Sequence, residues 1–396
     1  MSIKVSEVSL PLHIAVEYSL THMEGFWDGE KMATPYIAGK PGGGKSEMLK
    51  YACEKKAIGF LPITVGLIRP ERFSGIPDFK REALYDNKGV QIGTELQTEW
   101  SVPEIVCAMR EMSKRYEMVL VLYDDWHIAA PEIQASGFET FTYRSINGHA
   151  IPQNVGIMLA GNNSSLAGAR AAYSAVMNRV CKIYVNTDFD FWRDKYAIPH
   201  ALNNEVISFL DTESYKHYFH GEEDAREPWP SPRSWTEGSR AIDRMSRAGF
   251  DLNSEIGNSV LLNIICAHVG NKAGSEFMTW HNIYSKIDAK RIFDTGRWTF
   301  PTKAIDRFAF GAACTDEFIN RWAKKEKEPE KYKTAANNYC KMLSEWEKEN
   351  SDITLRAIRF LTVKNQKICN ELSRYPNFPE KVLFKLLDTS SVLKGA

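Results

Sequence analysis

Gly39-Lys40-Pro41-Gly42-Gly43-Gly44-Lys45-Ser46 is the stretch that decides how this chain folds. It fills every fixed position of the phosphate-binding pattern Gly-x-x-x-x-Gly-Lys-Ser. Tyr36-Ile37-Ala38 before it reads as the end of a buried strand, and Ser46 to Ala52 after it as the opening of a helix. Glycines let backbone N–H groups curl around phosphate oxygens, at the positive end of the helix dipole. Gly39, Pro41, Gly42, Gly43, Gly44 and Glu47 are then the candidate phosphate contacts. Lys45 would reach the β- and γ-phosphates, and the Ser46 hydroxyl would ligate Mg²⁺. A glycine-rich turn that binds nothing is the alternative, but it leaves the flanking strand and helix unexplained. The stretch predicts a nucleoside-triphosphate site.

A second stretch supports the first. Glu117-Met118-Val119-Leu120-Val121-Leu122-Tyr123-Asp124-Asp125 is an aliphatic run ending in paired carboxylates. Such a run predicts a buried parallel strand that delivers acids to its carboxyl edge. Asp124 is placed to hold Mg²⁺ through water, and Asp125 to orient or deprotonate an attacking water. An exposed acidic turn after a core strand is the rival reading, and the P-loop upstream argues against it. Val155 to Gly161 reads as another buried strand, ending at Asn162-Asn163. An amide at that edge can hydrogen-bond the water or the γ-phosphate.

Outward from these stations, Leu10 to Thr21 has mostly helical spacing, and the 38 residues before Gly39 leave no room for a separate recognition domain. Ile58 to Val65 reads as a strand, followed by Arg72 to Pro77 and a turn-rich stretch around Tyr85 to Gly89. Helices are expected over Ser101 to Tyr116, with Pro103 in the first turn, over Pro131 to Tyr143 and over Ala167 to Asn178. Asn147-Gly148 signals a hairpin turn, and Val180 to Val185 a fifth strand. From Asp188 onward the strands stop, and helices are expected at Trp192 to Ile198, Asn204 to Leu210, Ser234 to Ala248 and Glu255 to Val269. Arg233 opens one of these helices, where a cation opposes the dipole, so it serves something other than helix stability. A nearby phosphate would explain it.

The expected class is α/β: a P-loop domain with a central parallel sheet over residues 1–187, a helical lid over 188–310 and a helical extension over 311–396. Bulk properties agree with a soluble globular protein of two or three domains, with 396 residues, 43% hydrophobic and 25% charged. No apolar run reaches membrane-spanning length, and no signal-peptide layout opens the chain. Seven scattered cysteines without Cys-x-x-Cys spacing predict reduced thiols in a cytoplasm.

Taken together, these stations resemble the AAA+ ATPases, and within them the MoxR-like branch of bacteria and bacteriophages. The resemblance covers about residues 10 to 245. Gly39 to Ser46 is similar to the family's Walker A element, and Arg72 to Pro77 to its Gly-hydrophobic-Pro stretch. Tyr123-Asp124-Asp125 with Pro131-Glu132-Ile133-Gln134 resembles the Walker B strand and its Pro-x-x-Gln helix, and the Asn147-Gly148 hairpin that before sensor 1. Ala160-Gly161-Asn162 resembles the sensor 1 strand end, which makes Asn162 the sensor. Asn178-Arg179 stands where the family carries its arginine finger, and Ser231 to Trp235 resembles sensor 2, with Arg233 on the phosphates. The resemblance implies ATP and Mg²⁺ as ligands, a ring homo-oligomer, a hexamer by analogy, and a protein substrate or adaptor such as a von Willebrand factor A-domain protein. One departure stands out: the family has Asp-Glu where this chain has Asp124-Asp125. A carboxylate one methylene short can miss its water by about 1 Å, which can cost ~100-fold in rate.

The leading expectation is an ATP-hydrolysing ring motor that remodels or assembles a partner protein. The alternatives are an ATP-gated assembly scaffold with weak turnover and a nucleic-acid motor or loader. Fifty basic residues balancing fifty acidic ones, with no basic stripe, argue against the last. A small-molecule kinase fits Asn162, Arg179 and Arg233 less well. His217-Tyr218-Phe219-His220, ahead of Glu222, Glu223 and Asp224, lacks a third placed metal ligand and reads as a solvated loop. His127, beside the acidic pair, could assist chemistry but reads first as a surface or packing residue, and Trp100 and Trp126 read as core or interface aromatics rather than base-stacking platforms.

Overall fold

Three strands of the chain, those ending at Gly39, Asp124 and Gly161, are buried along almost their whole length, and the fold is built around them. The computed structural model describes residues 9–162, 174–222, 224 and 226–384. Its first unit, Met1–Thr187, contains β1 (Leu10–Pro11), α1 (Leu12–Trp27), β2 (Thr34–Gly39), α2 (Lys45–Lys55), β3 (Gly59–Thr64) and α3 (Pro70–Ser74). Next along the chain are β4 (Pro77–Tyr85), β5 (Gln91–Trp100), α4 (Glu104–Ser113), β6 (Val119–Asp124) and α5 (Pro131–Tyr143). The unit closes with β7 (Ser145–Ile146), β8 (His149–Ala150), β9 (Val155–Gly161), α6 (Ser174–Met177) and β10 (Val180–Asn186). Most of the helix expected over Ala167 to Asn178 lies outside the described residues, as does Asn163.

Six strands form one parallel sheet in the order β1-β10-β2-β9-β6-β3. Alternate side chains of its central strands divide between two cores, as the two-residue period of a strand requires. Ile37, Leu120, Leu122, Met158 and Ala160 point to the face covered by α1 and α2, against Val16, Leu20 and Leu49. Tyr36, Ala38, Val121, Tyr123 and Leu159 point to the other face, against Val106, Met109 and Ile133 of α4 and α5. Burial on both sides is why these strands read as unbroken apolar runs. This is the α/β, central-parallel-sheet architecture that the sequence predicts.

The stretch from Pro77 to Trp100 departs from the sequence reading. The turn expected around Tyr85 to Gly89 is there, but it joins two strands the sequence reading did not include, a long antiparallel hairpin of β4 with β5, closed where Lys88 N and Val90 N both donate to Asp86 Oδ1. Phe79, Tyr85, Ile92 and Leu96 on it are each more than 60% exposed, so no core set the alternation that would have announced two strands. The short hairpin β7–β8 forms at Asn147-Gly148, both with positive φ as a two-residue turn of this kind needs. α4 starts at Glu104, with Pro103 preceding it as the cap residue.

The second unit, Asp188–Ala396, is helical throughout its described residues, apart from the turns and loops that join the helices. It runs α7 (Phe189–Trp192), a π-helical turn over Arg193–Ala197, α8 (Asn204–Asp211), α9 (Pro232–Arg247), α10 (Glu255–Val269) and α11 (Asn271–Tyr284). Then come α12 (Ala289–Thr295), α13 (Ala304–Ala323), α14 (Pro329–Glu349), α15 (Ser351–Lys364) and α16 (Gln366–Leu372). One core holds Phe209, Trp235, Phe277 and Trp280; a second holds Phe318, Tyr339 and Trp346. α13 gives Ala309 to the first and Phe310 and Cys314 to the second, so the boundary expected at residue 310 falls inside a continuous helix. Buried Arg193 is matched by three carboxylates, Asp190, Asp194 and Asp211 at 3.0, 2.8 and 2.7 Å. Arg359 of α15 reaches the same Asp194 at 2.6 Å, tying the unit's first turns to its late helices. Within this unit Asp316 accepts hydrogen bonds from Tyr284 Oη and, at 2.5 Å, Asn204 Nδ2. Burial pushes its carboxyl up to about 7 against those two bonds, and the charge of Glu205 adds to the rise.

All seven cysteines are free. Among the described residues no helix is long and apolar enough to cross a membrane.

Candidate functional site

Parallel strands bring their carboxyl ends to one edge of a sheet, and the residues just past those ends meet there. β2 ends in the P-loop, β9 ends at Gly161 with Asn162 just past it, and β6 ends at Asp124; β9 lies between the other two. The order places an amide between a lysine-bearing loop and a carboxylate, and the side chains make the connection. Lys45 Nζ donates to Asn162 Oδ1 at 3.1 Å, and to the loop carbonyls of Gly39 and Lys40 at 3.1 and 3.0 Å. Ser46 Oγ donates to Asp124 Oδ2 at 2.5 Å. Lys45, Ser46, Asp124 and Asn162, separated by up to 117 residues in sequence, thus form one contiguous polar cluster.

The loop turns sharply into α2, with Gly42 and Gly44 both at positive φ. Gly44 has φ +85° at the residue before α2, a left-handed geometry that a side chain disfavours. The loop therefore turns its N–H groups into the start of an eleven-residue helix. Lys45 is buried at 8% exposure although it is a cation, held by two carbonyl oxygens and an amide oxygen. Glu47 sits exposed in the first turn of α2, where an acid complements the dipole. Past the end of β10, Thr187 Oγ1 donates to Gly43 O at 2.9 Å, so the last strand also braces the loop. That contact had no signal in the sequence.

The acid pair is not simply the end of a strand. β6 stops at Asp124, and Asp125 takes a left-handed conformation with φ 55° and ψ 34°. Aspartate tolerates that region better than most residues. Its N–H donates to Asp124 Oδ1 at 3.0 Å. A short turn over Trp126–Ile128 comes next, and Gln134 of α5 holds it, donating to Ala129 O at 3.2 Å and Trp126 O at 3.4 Å. Gln134 is itself buried. Trp126 is a core residue, stacked on Tyr123, which in turn meets Phe73 edge to face. Trp100 lies at the root of the exposed hairpin, where its carbonyl accepts from His149 Nε2 at 2.8 Å.

The other sequence-predicted residues lie elsewhere. The Arg179 guanidinium rests 4.0 Å above the Phe138 ring, and its Nε donates to Thr142 Oγ1 at 2.6 Å. Both partners belong to α5. Arg233 belongs to the second unit, exposed in the first turn of α9. That helix begins in a capping box between Ser231 and Ser234, so its N-terminus is satisfied without Arg233. Among the described residues no group of three or more His, Cys, Asp or Glu side chains is arranged to hold a metal, and the His217 ring lies tilted against Tyr218 with centroids 4.0 Å apart. For a magnesium ion bound with phosphates, Ser46 and Asp124 offer the hard oxygen donors such an ion takes, already facing each other across the site.

No protein-family model matches the chain, and no curated protein matches it. Among solved structures it is similar to a point mutant of Thermotoga maritima RuvB, at 11% identity and TM-score 0.36, over 74% of this chain and 78% of that one. The Thermotoga maritima RuvB Holliday junction branch migration motor gives 10% identity and TM-score 0.34, over 72% and 74%. At those scores neither likeness carries an argument about activity, which rests on the residues of this chain.

Proposed function

We propose that this chain is an AAA+ ATPase of the MoxR-like type, which binds ATP in the Gly39–Ser46 loop and hydrolyses it to ADP and phosphate. One observation carries the reading: Lys45 joins Asn162, and Ser46 joins Asp124, at a single sheet edge. A lysine, a hydroxyl, a carboxylate and an amide converging beside a helix N-terminus form a set suited to a triphosphate and its metal.

In this reading the backbone N–H groups from Gly42 to Ser46 cradle the phosphates. Lys45 turns from its carbonyl partners to the β- and γ-phosphates. Ser46, and Asp124 through water, would hold Mg²⁺, which would supply positive charge against the phosphate oxygens. Asn162 positions the water or a γ-phosphate oxygen. Asp125 orients that water and takes its proton as oxygen attacks phosphorus and the bond to ADP breaks. Arg179 acts across a subunit boundary, on the γ-phosphate of a neighbour, which makes a ring oligomer, hexameric by analogy, the active form. By the family resemblance Arg233 would take the sensor 2 role toward the phosphates, and hydrolysis would serve to remodel or assemble a partner protein. A von Willebrand factor A-domain protein is the adaptor class that fits this type.

Asp125 supports a second reading. A short side chain in a left-handed turn reaches less far than a glutamate leaving a strand, so turnover is slow and ATP acts as an assembly gate. Titrating the full chain with Mg²⁺–ATP, and following phosphate release, tests both. Binding with measurable release supports the ATPase, binding with negligible release in the assembled state supports the gate, and no binding refutes both.

A further inference from the structure

His127 stands three residues past the end-of-strand carboxylate Asp124, on the short turn that Gln134 holds. That turn brings the imidazole against β9. The backbone N–H of Asn162 donates to His127 Nδ1 at 3.3 Å, the long end of the hydrogen-bond range. Packing supports the same contact. A Cβ built on Gly161 would lie 3.2 Å from His127 Nδ1 and 2.5 Å from Tyr36 Oη, so the bare Gly161–Asn162 peptide is what lets the ring approach. An N–H aimed at Nδ1 needs a lone pair there, so this contact is made through an unprotonated Nδ1.

The peptide that His127 grips is the one whose side chain meets Lys45. Asn162 therefore has two anchors: its N–H on His127 and its Oδ1 on the Lys45 ammonium. Gln134 fixes the turn, the turn fixes His127, and His127 fixes the end of β9. We infer that His127 is a positioning residue, whose Nδ1 couples the acid-bearing strand to the Asn162 strand and sets the Asn162 amide for its work beside the γ-phosphate. The catalytic part of this rests on the ATPase reading; the coupling of the two strands does not.

Two substitutions separate the role of Nδ1 from mere bulk. In asparagine, Oδ1 sits two bonds from Cβ, as Nδ1 does in histidine, and can accept the same N–H. In glutamine the oxygen lies one bond farther and misses it. The test compares the full-length chain with His127→Asn, His127→Gln and His127→Ala in two measurements. The first is amide hydrogen exchange over residues 155–162 without nucleotide. Protection kept in the Asn variant and lost in Gln and Ala is expected, while equal protection in all four proteins overturns the coupling. The second is steady-state ATP hydrolysis. Gln and Ala should lower kcat about tenfold, the value of one hydrogen bond, with KM within about threefold, and Asn should restore kcat. Unchanged kcat in Ala, or equal kcat in Asn and Gln, overturns the positioning role. If the unsubstituted protein hydrolyses no ATP, the ATPase reading fails and the exchange experiment still decides the fate of the coupling.

Discussion

Replacing Lys45 with alanine removes the ammonium at the start of the P-loop helix, and its effects on stability and on binding should differ widely. Without nucleotide the side chain donates to Gly39 O, Lys40 O and Asn162 Oδ1. Losing these bonds costs about 0.5–1.5 kcal/mol each in net terms. Two effects offset that loss: no buried cation needs compensation any longer, and alanine is a better helix former at the start of α2. The net change in stability should stay within about 2 kcal/mol. Binding is another matter. Two ammonium–phosphate contacts, charge-assisted and partly desolvated, are worth about 1.5–3 kcal/mol each. Their sum corresponds to a loss of about 10²- to 10⁴-fold in affinity for ATP. Isothermal titration of both proteins with Mg²⁺–ATP, alongside their thermal unfolding, reads the two effects separately. A folded Lys45→Ala protein that binds ATP within about threefold of the unsubstituted chain would refute the assignment of the site.

Three further outcomes rest on the same geometry. Asp125→Asn keeps the size and the left-handed preference of the residue but removes the base, so phosphate release should fall about 10²-fold or more while ATP affinity holds; undiminished release would remove Asp125 from the mechanism. Arg179→Ala should spare ATP binding but abolish hydrolysis, and mixing it with a Lys45→Ala protein should restore part of the activity if the arginine acts on a neighbour's nucleotide. Full activity of Arg179→Ala alone would refute the role across the boundary. Asp316 gives a test in pH: its folded carboxyl titrates at about 7, raised chiefly by burial, whereas the unfolded group titrates near 3.8. Between those values the folded state holds a proton that the unfolded state has lost, so this group's contribution to stability declines as pH rises from about 4 to 7 and levels off above. Asp316→Asn should flatten that part of the pH profile in denaturant unfolding, and an unchanged slope would contradict it.

What was legible in the sequence was local and doubly constrained. The P-loop, the Asp124 strand and the Asn162 strand each combine an apolar run, buried on both faces, with a polar residue at a fixed place past its end. Such a run has few conformations that satisfy it. The β4–β5 hairpin was not legible because its apolar side chains face solvent, and Arg81 interrupts their alternation. The Asp125 turn and the Gln134 brace depend on tertiary contacts, which spacing alone does not reveal. Continuity of the helical unit through position 310 was hidden for a similar reason. α13 feeds two cores, so its apolar residues mark no single face and no boundary. The partners of Arg179, Phe138 and Thr142, lie on a helix whose place beside that arginine only the fold supplies.

ATP turnover per protomer, measured across protein concentration together with the mass of the assembled species, tests the central claim most directly. The account predicts that turnover rises as protomers assemble, because Lys45, Asp124 and Asn162 of one chain are completed by Arg179 of another. A monomer that hydrolyses ATP at a rate independent of concentration would contradict it.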